Sequence, residues 1–153
     1  MVKQSAGILL YKKVNGEFFV LLAHPGGPFW AKKDLGSWSI PKGEFTDETP
    51  LDAAIREFKE ETGVDLQGDF IGLEPVRIKS GKTIFAFLHE SDFDVNKLVS
   101  NTFEMEWPPK SGMMKSYPEI DKAGWFSIDE AMEKINQGQI GFIAQLTKIL
   151  TKK

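Results

Sequence analysis

Three glutamates lie within five positions of one another in the segment REFKEETG, residues 56–63. Like charges three or four residues apart in a helix repel each other by roughly 0.2–0.5 kcal/mol per pair. Arg56 and Lys59 are the only bases in this segment. A hard divalent cation would relieve the repulsion between Glu57, Glu60 and Glu61, because Mg²⁺ and similar ions bind carboxylate oxygens and keep positions for water and phosphate.

A run of charge on a helix is most often a solvated face, and taken alone the three glutamates fit either role. Solvated faces usually place opposite charges four residues apart. This segment has only two bases, Arg56 and Lys59, for its three glutamates. Metal binding therefore explains the cluster better than solvation does.

The element that must position these carboxylates is a helix between Thr49 and Gly63. Thr49 is suited to the N-cap, Pro50 to the first helical position and Gly63 to the C-terminal cap. At about 100° per residue, the three glutamates share an arc that points away from the core. The stripe predicted to face the core consists of Leu51, Ile55, Phe58 and Thr62.

The N-terminal part of the chain predicts a hairpin. SAGILLYKK and EFFVLLAH are rich in aliphatic, aromatic and β-branched residues, and Asn15-Gly16 between them is a strong turn signal. A loop with several Gly and Pro residues follows, and SWSI is predicted to be a short strand that ends at Pro41.

The remaining pattern predicts a second hairpin, a long loop and a terminal helical region. DFIGLEPVRI and KTIFAFLHE are expected to pair around Ser80-Gly81. Residues 101–118 are predicted to form a long loop, and GWFS a short strand. Ser127 and Glu130 form a capping box that opens a helix, which breaks near Gly138 and resumes at Ile140.

Length and composition set the broad class. With 153 residues and 41% hydrophobic content, the chain is predicted to form a single domain, residues 1–153. The absence of cysteine excludes disulfides and thiolate chemistry. No apolar run approaches the roughly 20 residues of a membrane span and no secretory signal is present, so we expect a cytoplasmic protein without a membrane partner.

Charge is distributed unevenly along the chain. The net charge of −3 argues against a stable nucleic-acid partner. Residues 44–65 hold eight acids and two bases, whereas residues 1–43 hold six lysines and two acids. An acidic block beside a basic one suits a site that holds both cations and an anionic ligand.

The stretch GEFTDETPLDAAIREFKEETGV resembles the signature of the Nudix hydrolases, also called MutT-like. That signature is Gly, five residues, Glu, seven residues, Arg-Glu, an apolar residue, any residue, Glu-Glu, any residue, Gly and an apolar residue. Only four residues separate Gly43 from Glu48, so either the loop has lost a residue or Lys42 occupies the usual glycine position. The other matches are Glu48, Arg56, Glu57, Phe58, Glu60, Glu61, Gly63 and Val64.

The resemblance extends to WSIPKGE before this stretch and to PEIDKAGWFSIDEA near the C-terminus. It implies an α/β fold, the Nudix-type α/β/α sandwich with a mixed β-sheet. It also implies a hydrolase that uses Mg²⁺ or Mn²⁺ to cleave a pyrophosphate bond in a nucleoside diphosphate linked to another moiety. The partner would therefore be a small nucleotide or polyphosphate.

Carried over residue by residue, the resemblance makes Glu57, Glu60 and Glu61 metal ligands, and either of the first two could also assist catalysis. Gly43 would let the backbone approach the metal. Arg56 would orient a carboxylate through a charge-assisted pair, and Glu48 would brace the loop against the helix.

Many Nudix enzymes take a further ligand or base from outside this signature. Glu119 is the first candidate, and Glu104 and Glu106 in the predicted loop are the alternatives. Exposed loop glutamates usually have no such role, so each of the three could equally be an ordinary surface residue.

Substrate contacts are predicted from basic and aromatic residues. Lys42 could hold a phosphate as a point charge, and Arg77, Lys79 and Lys82 could extend a polyphosphate-binding rim, although all four could simply be solvated. Phe29, Trp30, Trp38 and Trp107 could stack a base. Trp38 in a predicted strand is expected in the core, so Trp30 and Trp107 in loops are the better candidates.

The PKG segment is similar to that of polyphosphate-cleaving Nudix branches, which makes a nucleoside or dinucleoside polyphosphate a candidate substrate. The Tyr that those enzymes often carry about seventeen residues after the signature is missing. The alternative is a non-catalytic Nudix domain that acts as a nucleotide-binding sensor or interaction module. Exposed aromatic residues would permit a homodimer.

Overall fold

The computed structural model describes residues 3–151, which form nine strands and three α-helices. The strands are β1 (Gln4–Val14), β2 (Glu17–Pro25), β3 (Lys42–Phe45), β4 (Ile71–Gly72), β5 (Val76–Arg77), β6 (Thr83–Glu90), β7 (Thr102–Glu106), β8 (Met114–Pro118) and β9 (Ile120–Ser127). The helices are α1 (Pro50–Thr62), α2 (Ile128–Lys134) and α3 (Ile140–Thr151). None of the helices in this described range has the length and hydropathy of a membrane span.

Strand β1 is the centre of a mixed sheet whose order is β4-β6-β1-β2-β9. One edge of β1 pairs in parallel with β6. The other edge is shared, because its C-terminal half pairs with β2 and its N-terminal half pairs with β3, both antiparallel. The chain therefore leaves an opening where β2 and β3 diverge from their common neighbour.

The predicted first hairpin is confirmed. Val14 lies opposite Glu17, so β1 and β2 are joined by a two-residue loop. Asn15 and Gly16 in this loop have φ angles of 52° and 83°. Turns with two positive φ angles match the twist of paired strands and favour an Asn-Gly sequence.

Alternating side chains of β1 point to opposite faces of the sheet. Ile8 and Leu10 pack in the core beneath α1, together with Phe58. Leu9 and Tyr11 pack in the second core, which includes residues of α2 and α3. The sheet is thus enclosed between helical layers, which confirms the predicted α/β/α sandwich.

Helix α1 begins and ends where the sequence predicts, but its buried face differs. Thr49 accepts a hydrogen bond from the backbone N–H of Asp52, and Gly63 ends the helix with φ of 85°. The stripe predicted to face the core was partly wrong, since Leu51 and Ile55 are only half-buried. The buried residues of the helix are Ala53, Ala54, Phe58, Glu61 and Thr62.

Three other predictions about elements require correction. SWSI contains only single bridges at Trp38 and Ser39, and the strand in this region is β3, after Pro41. DFIGLEPVRI contributes two strands of only two residues each. GWFS is the end of the longer strand β9, because β9 pairs with most of β2.

The predicted long loop at residues 101–118 was also wrong. It folds into a separate antiparallel hairpin of β7 and β8, with Phe103 opposite Tyr117. Half-buried and exposed residues alternate along β7, as expected for a strand with one covered face. At the C-terminus, the capping box of Ser127 and Glu130 and the helix break near Gly138 are both confirmed.

Candidate active site

The last two turns of α1 place carboxylates directly against strand β3. The Glu57 side chain is only 12% exposed. A Cβ atom on Gly43 would lie 2.0 Å from Glu57 Oε1, so the carboxylate occupies space that a side chain at this position would need. Glu61 is 6% exposed and lies near Lys42 of β3.

Burial and mutual repulsion change the acidity of these groups. Burial raises the pKa of Glu61 to about 8, and the neighbouring carboxylates of Glu57 and Glu119 add to the effect. Burial and Glu60 likewise raise the pKa of Glu57. Burial and the nearby Lys82 lower the pKa of Lys42. Burial therefore disfavours an isolated charge of either sign in this pocket, and the crowded carboxylates favour a cation placed close to them.

Arg56 connects the carboxylates through several charge-assisted hydrogen bonds. Its Nε and Nη2 donate to Glu48 at 2.7–3.0 Å. Its Nη1 donates at 2.8 Å to both Glu57 and Glu60. These bonds to Arg56 hold the pKa of Glu48 below its ordinary value. The guanidinium thus fixes Glu57 and Glu60 relative to the N-terminal loop of the helix.

Within residues 3–151, no three His, Cys, Asp or Glu side chains converge closely enough to enclose a metal ion. Arg56 Nη1 lies between Glu57 and Glu60 instead. The donor set nevertheless fits a hard divalent ion, since it consists of carboxylate oxygens, and burial together with crowding raises the pKa of Glu57 and Glu61. The metal-ligand roles of Glu57, Glu60, Glu61 and Gly43 stay a prediction.

A cavity of about 200 Å³ lies beside Glu61, where β2 and β3 diverge. Lys42 and Glu119 also line it, with Pro25 and Ser39 forming part of the wall. Glu119 connects β8 to β9, and burial and Glu60 raise its pKa. The structure therefore brings Glu119, the candidate from outside the helix, to the same cavity as Glu61 and Lys42.

The alternative acids lie in the β7–β8 hairpin. Glu106 accepts backbone hydrogen bonds from Lys110 and Gly112, so its carboxylate stabilises the hairpin turn. Glu104 is exposed on β7. Neither residue lines the carboxylate cavity in the described part of the chain.

The residues predicted to contact substrate are spread around this region. Lys82 Nζ forms an ion pair with Glu44 at 2.9 Å, and Arg77 is exposed on β5. Trp30 is half-buried in the loop after β2, and Trp107 is half-buried in the turn between β7 and β8. Over residues 3–151, none of these four side chains lines the cavity. Trp38 is buried, as predicted.

Sequence reasoning missed the walls of the cavity. Pro25 and Ser39 belong to segments that meet only when Ala23 pairs with Ser39. Gln139, which is 3% exposed, accepts a hydrogen bond from the backbone N–H of Ile40 and supports the wall from behind. The contact between Ile40 and Gln139 spans about a hundred positions, and no local sequence pattern indicates it.

The sequence profile of the NUDIX domain matches residues 1–146. The chain therefore belongs to the NUDIX domain family, as its resemblance to the Nudix signature implied. RNA pyrophosphohydrolases of Xanthomonas campestris pv. campestris (strain B100) and Stenotrophomonas maltophilia (strain K279a) are each 45% identical over 47 residues. The match covers 29% of this chain and only 23% of the length of those relatives.

Solved structures show the same fold across nearly the whole chain. A Caenorhabditis elegans Ap4A hydrolase binary complex has a TM-score of 0.68 and 19% identity, and the match covers 99% of this chain and 100% of the other. The NUDIX domain of Shewanella oneidensis NrtR, complexed with ADP ribose, has a TM-score of 0.68 and 16% identity, with coverage of 98% and 89%. At these identities the likeness defines the architecture.

Proposed function

We propose that this protein is a divalent-metal-dependent hydrolase that cleaves a pyrophosphate bond in a nucleoside diphosphate linked to another moiety. The observation that carries the proposal is the meeting of Glu61, Lys42 and Glu119 at one cavity. Opposite charges at such a site suit a ligand that consists of a metal ion and a polyphosphate. Family membership supports the same class of reaction.

In this proposal, Glu57, Glu60 and Glu61 hold the metal ion, and the absence of a side chain at Gly43 leaves room for the Glu57 carboxylate. A bound divalent ion supplies Lewis acidity and neutralises phosphate charge. Arg56 keeps Glu57 and Glu60 in place, because its Nη1 bonds both carboxylates at 2.8 Å while its other nitrogens are fixed by Glu48.

Two residues on the cavity wall would act on the substrate. Glu119 is the proposed general base, which takes a proton from the attacking water at its carboxylate. Its raised pKa, caused by burial and Glu60, makes it a better proton acceptor than an ordinary glutamate. Lys42 is half-buried and is proposed to bind a phosphate oxygen by charge and hydrogen bonding.

We propose nucleoside or dinucleoside polyphosphates as the substrate class. Arg77 on β5 and Lys82, which directly precedes β6, offer further positive charge for a phosphate chain that extends beyond the cavity. Lys82 must give up its ion pair with Glu44 to do so. The Ap4A hydrolase fold and the local similarity to RNA pyrophosphohydrolases support substrates that carry several linked phosphates.

The experiment is a substrate screen with Mg²⁺ or Mn²⁺ that compares the native chain with Glu60→Gln. The panel contains nucleoside triphosphates, a dinucleoside tetraphosphate, ADP-ribose and a 5′-triphosphorylated RNA oligonucleotide. The readout is the set of phosphorylated products from each substrate, separated by ion-exchange chromatography, because the dinucleoside tetraphosphate and ADP-ribose release neither free phosphate nor pyrophosphate. We expect Glu60→Gln to lose at least about 10²-fold in turnover. Glu133→Gln, an exposed change on α2, is the matched control and should retain full turnover. Equal turnover by the native chain and Glu60→Gln would refute the role of Glu60.

The second candidate function is a nucleotide-binding sensor or interaction module without catalysis. The contact that favours it is the Arg56 bridge, which already neutralises Glu57 and Glu60 through two hydrogen bonds of 2.8 Å. In that case the native chain would bind nucleotides from the panel and turn over none of them with either metal.

A further inference from the structure

The loop of residues 26–36 begins next to the carboxylate cavity. The backbone N–H of Gly26 donates to the carbonyl of Glu119 at 2.9 Å. Gly27 packs against the hairpin, because a Cβ atom there would lie 3.1 Å from the Phe103 ring. Contacts that hold this loop in place therefore also hold the edge of the cavity next to Glu119.

A buried histidine ties the loop to the sheet. His24 on β2 is 1% exposed. Its Nδ1 lies 2.9 Å from a carboxylate oxygen of Asp121 on β9, and its Nε2 lies 2.6 Å from the carbonyl oxygen of Lys33 in the loop. A carbonyl oxygen can only accept, so Nε2 is the donor to Lys33. The ring is consequently held on both sides, and its orientation is fixed.

A second contact holds the end of the loop. One carboxylate oxygen of Asp34 accepts from the indole N–H of Trp38 at 2.8 Å, and the other accepts from Lys134 Nζ at 2.5 Å. The Trp38 ring also packs edge-on against His24, with 5.1 Å between the centroids. The two anchors are therefore in contact and fix adjacent residues of the loop, Lys33 and Asp34.

The part of the loop between the cavity and these anchors presents aromatic rings and a positive charge. Phe29 is 58% exposed, and its ring lies edge-on to Trp30 with 5.2 Å between the centroids. Lys33 Nζ lies 3.9 Å from the centroid of Phe29 and 5.0 Å from that of Trp30. Aromatic side chains beside a cation are suited to stack a base and to attract the phosphate attached to it.

We propose that His24 and Asp121 are positioning residues that hold the loop so that Phe29 and Trp30 form a nucleobase-binding surface at the edge of the cavity. This inference rests on the proposed function, because it requires a nucleotide as the ligand. His24 does not touch the substrate. It acts through Lys33, because His24 binds the backbone carbonyl of Lys33. The side chain of Lys33 in turn contacts the rings of Phe29 and Trp30.

The test compares His24→Gln with His89→Gln, which alters the other buried histidine. Both rings are more than nine-tenths buried, but His89 is bonded to the backbone of Asp69, outside the 26–36 loop. Calorimetry with Mg²⁺ measures two probes, a non-hydrolysable methylene analogue of ATP and the matching analogue of tripolyphosphate, which has no base. His24→Gln should weaken binding of the ATP analogue roughly tenfold and leave the tripolyphosphate analogue unchanged. His89→Gln should leave both affinities unchanged.

Hydrogen exchange supplies a readout that does not depend on a ligand. Backbone amides of residues 26–36 should exchange faster in His24→Gln, since glutamine cannot bond Asp121 and Lys33 with the geometry of the ring. Asp121→Asn keeps an acceptor oxygen and should show a smaller loss in the same direction. This milder variant keeps the test decisive if His24→Gln does not fold.

Three results for His24→Gln would overturn the inference. The first is equal weakening of the affinity for both probes, and the second is unchanged affinity for both. The third is faster amide exchange in residues 26–36 with no selective loss of affinity for the ATP analogue. A native chain that binds both probes but hydrolyses nothing would refute the hydrolase while leaving this inference intact. A native chain that binds the tripolyphosphate analogue as tightly as the ATP analogue would refute the base-binding surface alone.

Discussion

The two faces of the central sheet are packed in different ways. On the face that α2 and α3 cover, fully buried apolar side chains such as Phe142, Ile143 and Leu146 fill the interface. On the face that α1 covers, the helix contributes two alanines and Phe58 to the core, and Glu61 is buried as well. One face is a conventional core, whereas the other combines a core with a row of carboxylates.

This difference indicates that one face of the sheet mainly stabilises the fold and that the other carries the candidate site. A carboxylate loses hydration when it is buried, and the raised pKa of Glu61 reflects this cost. The α2–α3 face has no comparable group among its described core residues and contributes apolar burial instead. Changes on that face should therefore affect stability, and changes beneath α1 should affect the chemistry.

The largest expected effect is on stability, from Phe142→Ala. Phe142 is fully buried, and truncation of such a ring leaves a cavity that lowers the free energy of unfolding by about 3–5 kcal/mol. Turnover per folded molecule should not change. Urea denaturation and active-site titration measure the two quantities separately, and a matching fall in turnover would contradict the division between the faces.

Gly43→Ala should have the opposite profile. The new Cβ would lie 2.0 Å from Glu57 Oε1, so the carboxylate must move, and misplacement of about 1 Å at a catalytic group can reduce turnover about 10²-fold. The free energy of unfolding should change by only about 1 kcal/mol or less. Gly141→Ala in α3 is the control, because its Cβ would meet only Val76 at 3.6 Å. Unchanged turnover in Gly43→Ala would count against the metal-site geometry.

The pH dependence of the free energy of unfolding should reveal the raised pKa of the Glu61 carboxyl. Its folded-state pKa of about 8 lies above the ordinary 4.5, so the folded chain holds a proton that the unfolded chain releases between these values. The stability associated with the neutral carboxyl is present at low pH and is lost as pH rises through about 8. Glu61→Gln stays neutral and should be about 2–5 kcal/mol more stable than the native chain above pH 8, with no advantage near pH 4.

This prediction is measured by chemical denaturation with a chelator present, across the same pH range. Glu133→Gln serves as the control, since that side chain is exposed. A parallel dependence on pH in the native chain and Glu61→Gln would show that another group is responsible.

Arg56→Lys should have the smallest effect. A lysine keeps the charge but cannot bond Glu48 with two nitrogens while a third contacts Glu57 and Glu60. Loss of such support for ligands typically weakens metal binding at least tenfold, and we expect about that change for Mn²⁺ in a calorimetric titration. Stability should change by less than about 1 kcal/mol, because Arg56 is 38% exposed. Lys59→Arg, on the exposed side of α1, should bind Mn²⁺ normally.

The sequence predicted best those features that depend on neighbouring residues. Thr49, Pro50 and Gly63 define α1 through local capping, and the structure has the helix at those bounds. The layered fold followed from resemblance to a family, and the profile match over residues 1–146 supports it. The β7–β8 hairpin was missed because its three prolines and one glycine masked the alternation of Phe103 and Met105 with glutamates.

The candidate site was only partly predictable for the same reason. The spacing of Glu57, Glu60 and Glu61 identified the carboxylates, but a helical projection treats each as solvent-facing and so missed the burial of Glu61. That burial depends on β3, whose Gly43 lies opposite Ala6 in a pairing between distant segments. The cavity wall and the His24 contacts to Asp121 and Lys33 likewise depend on tertiary packing.

The cavity beside Glu61 is assembled from four separate parts of the chain, which contribute Pro25, Ser39, Glu61 and Glu119 among others. No fragment of the sheet contains all of its walls, so a ligand can recognise only the fully folded molecule. A compound that binds there must stabilise the whole chain. At a free concentration one hundred times its dissociation constant, it adds about 2.7 kcal/mol to the free energy of unfolding, and the melting temperature rises accordingly. Thermal melting in the presence of candidate nucleotides can therefore rank ligands before any reaction is known.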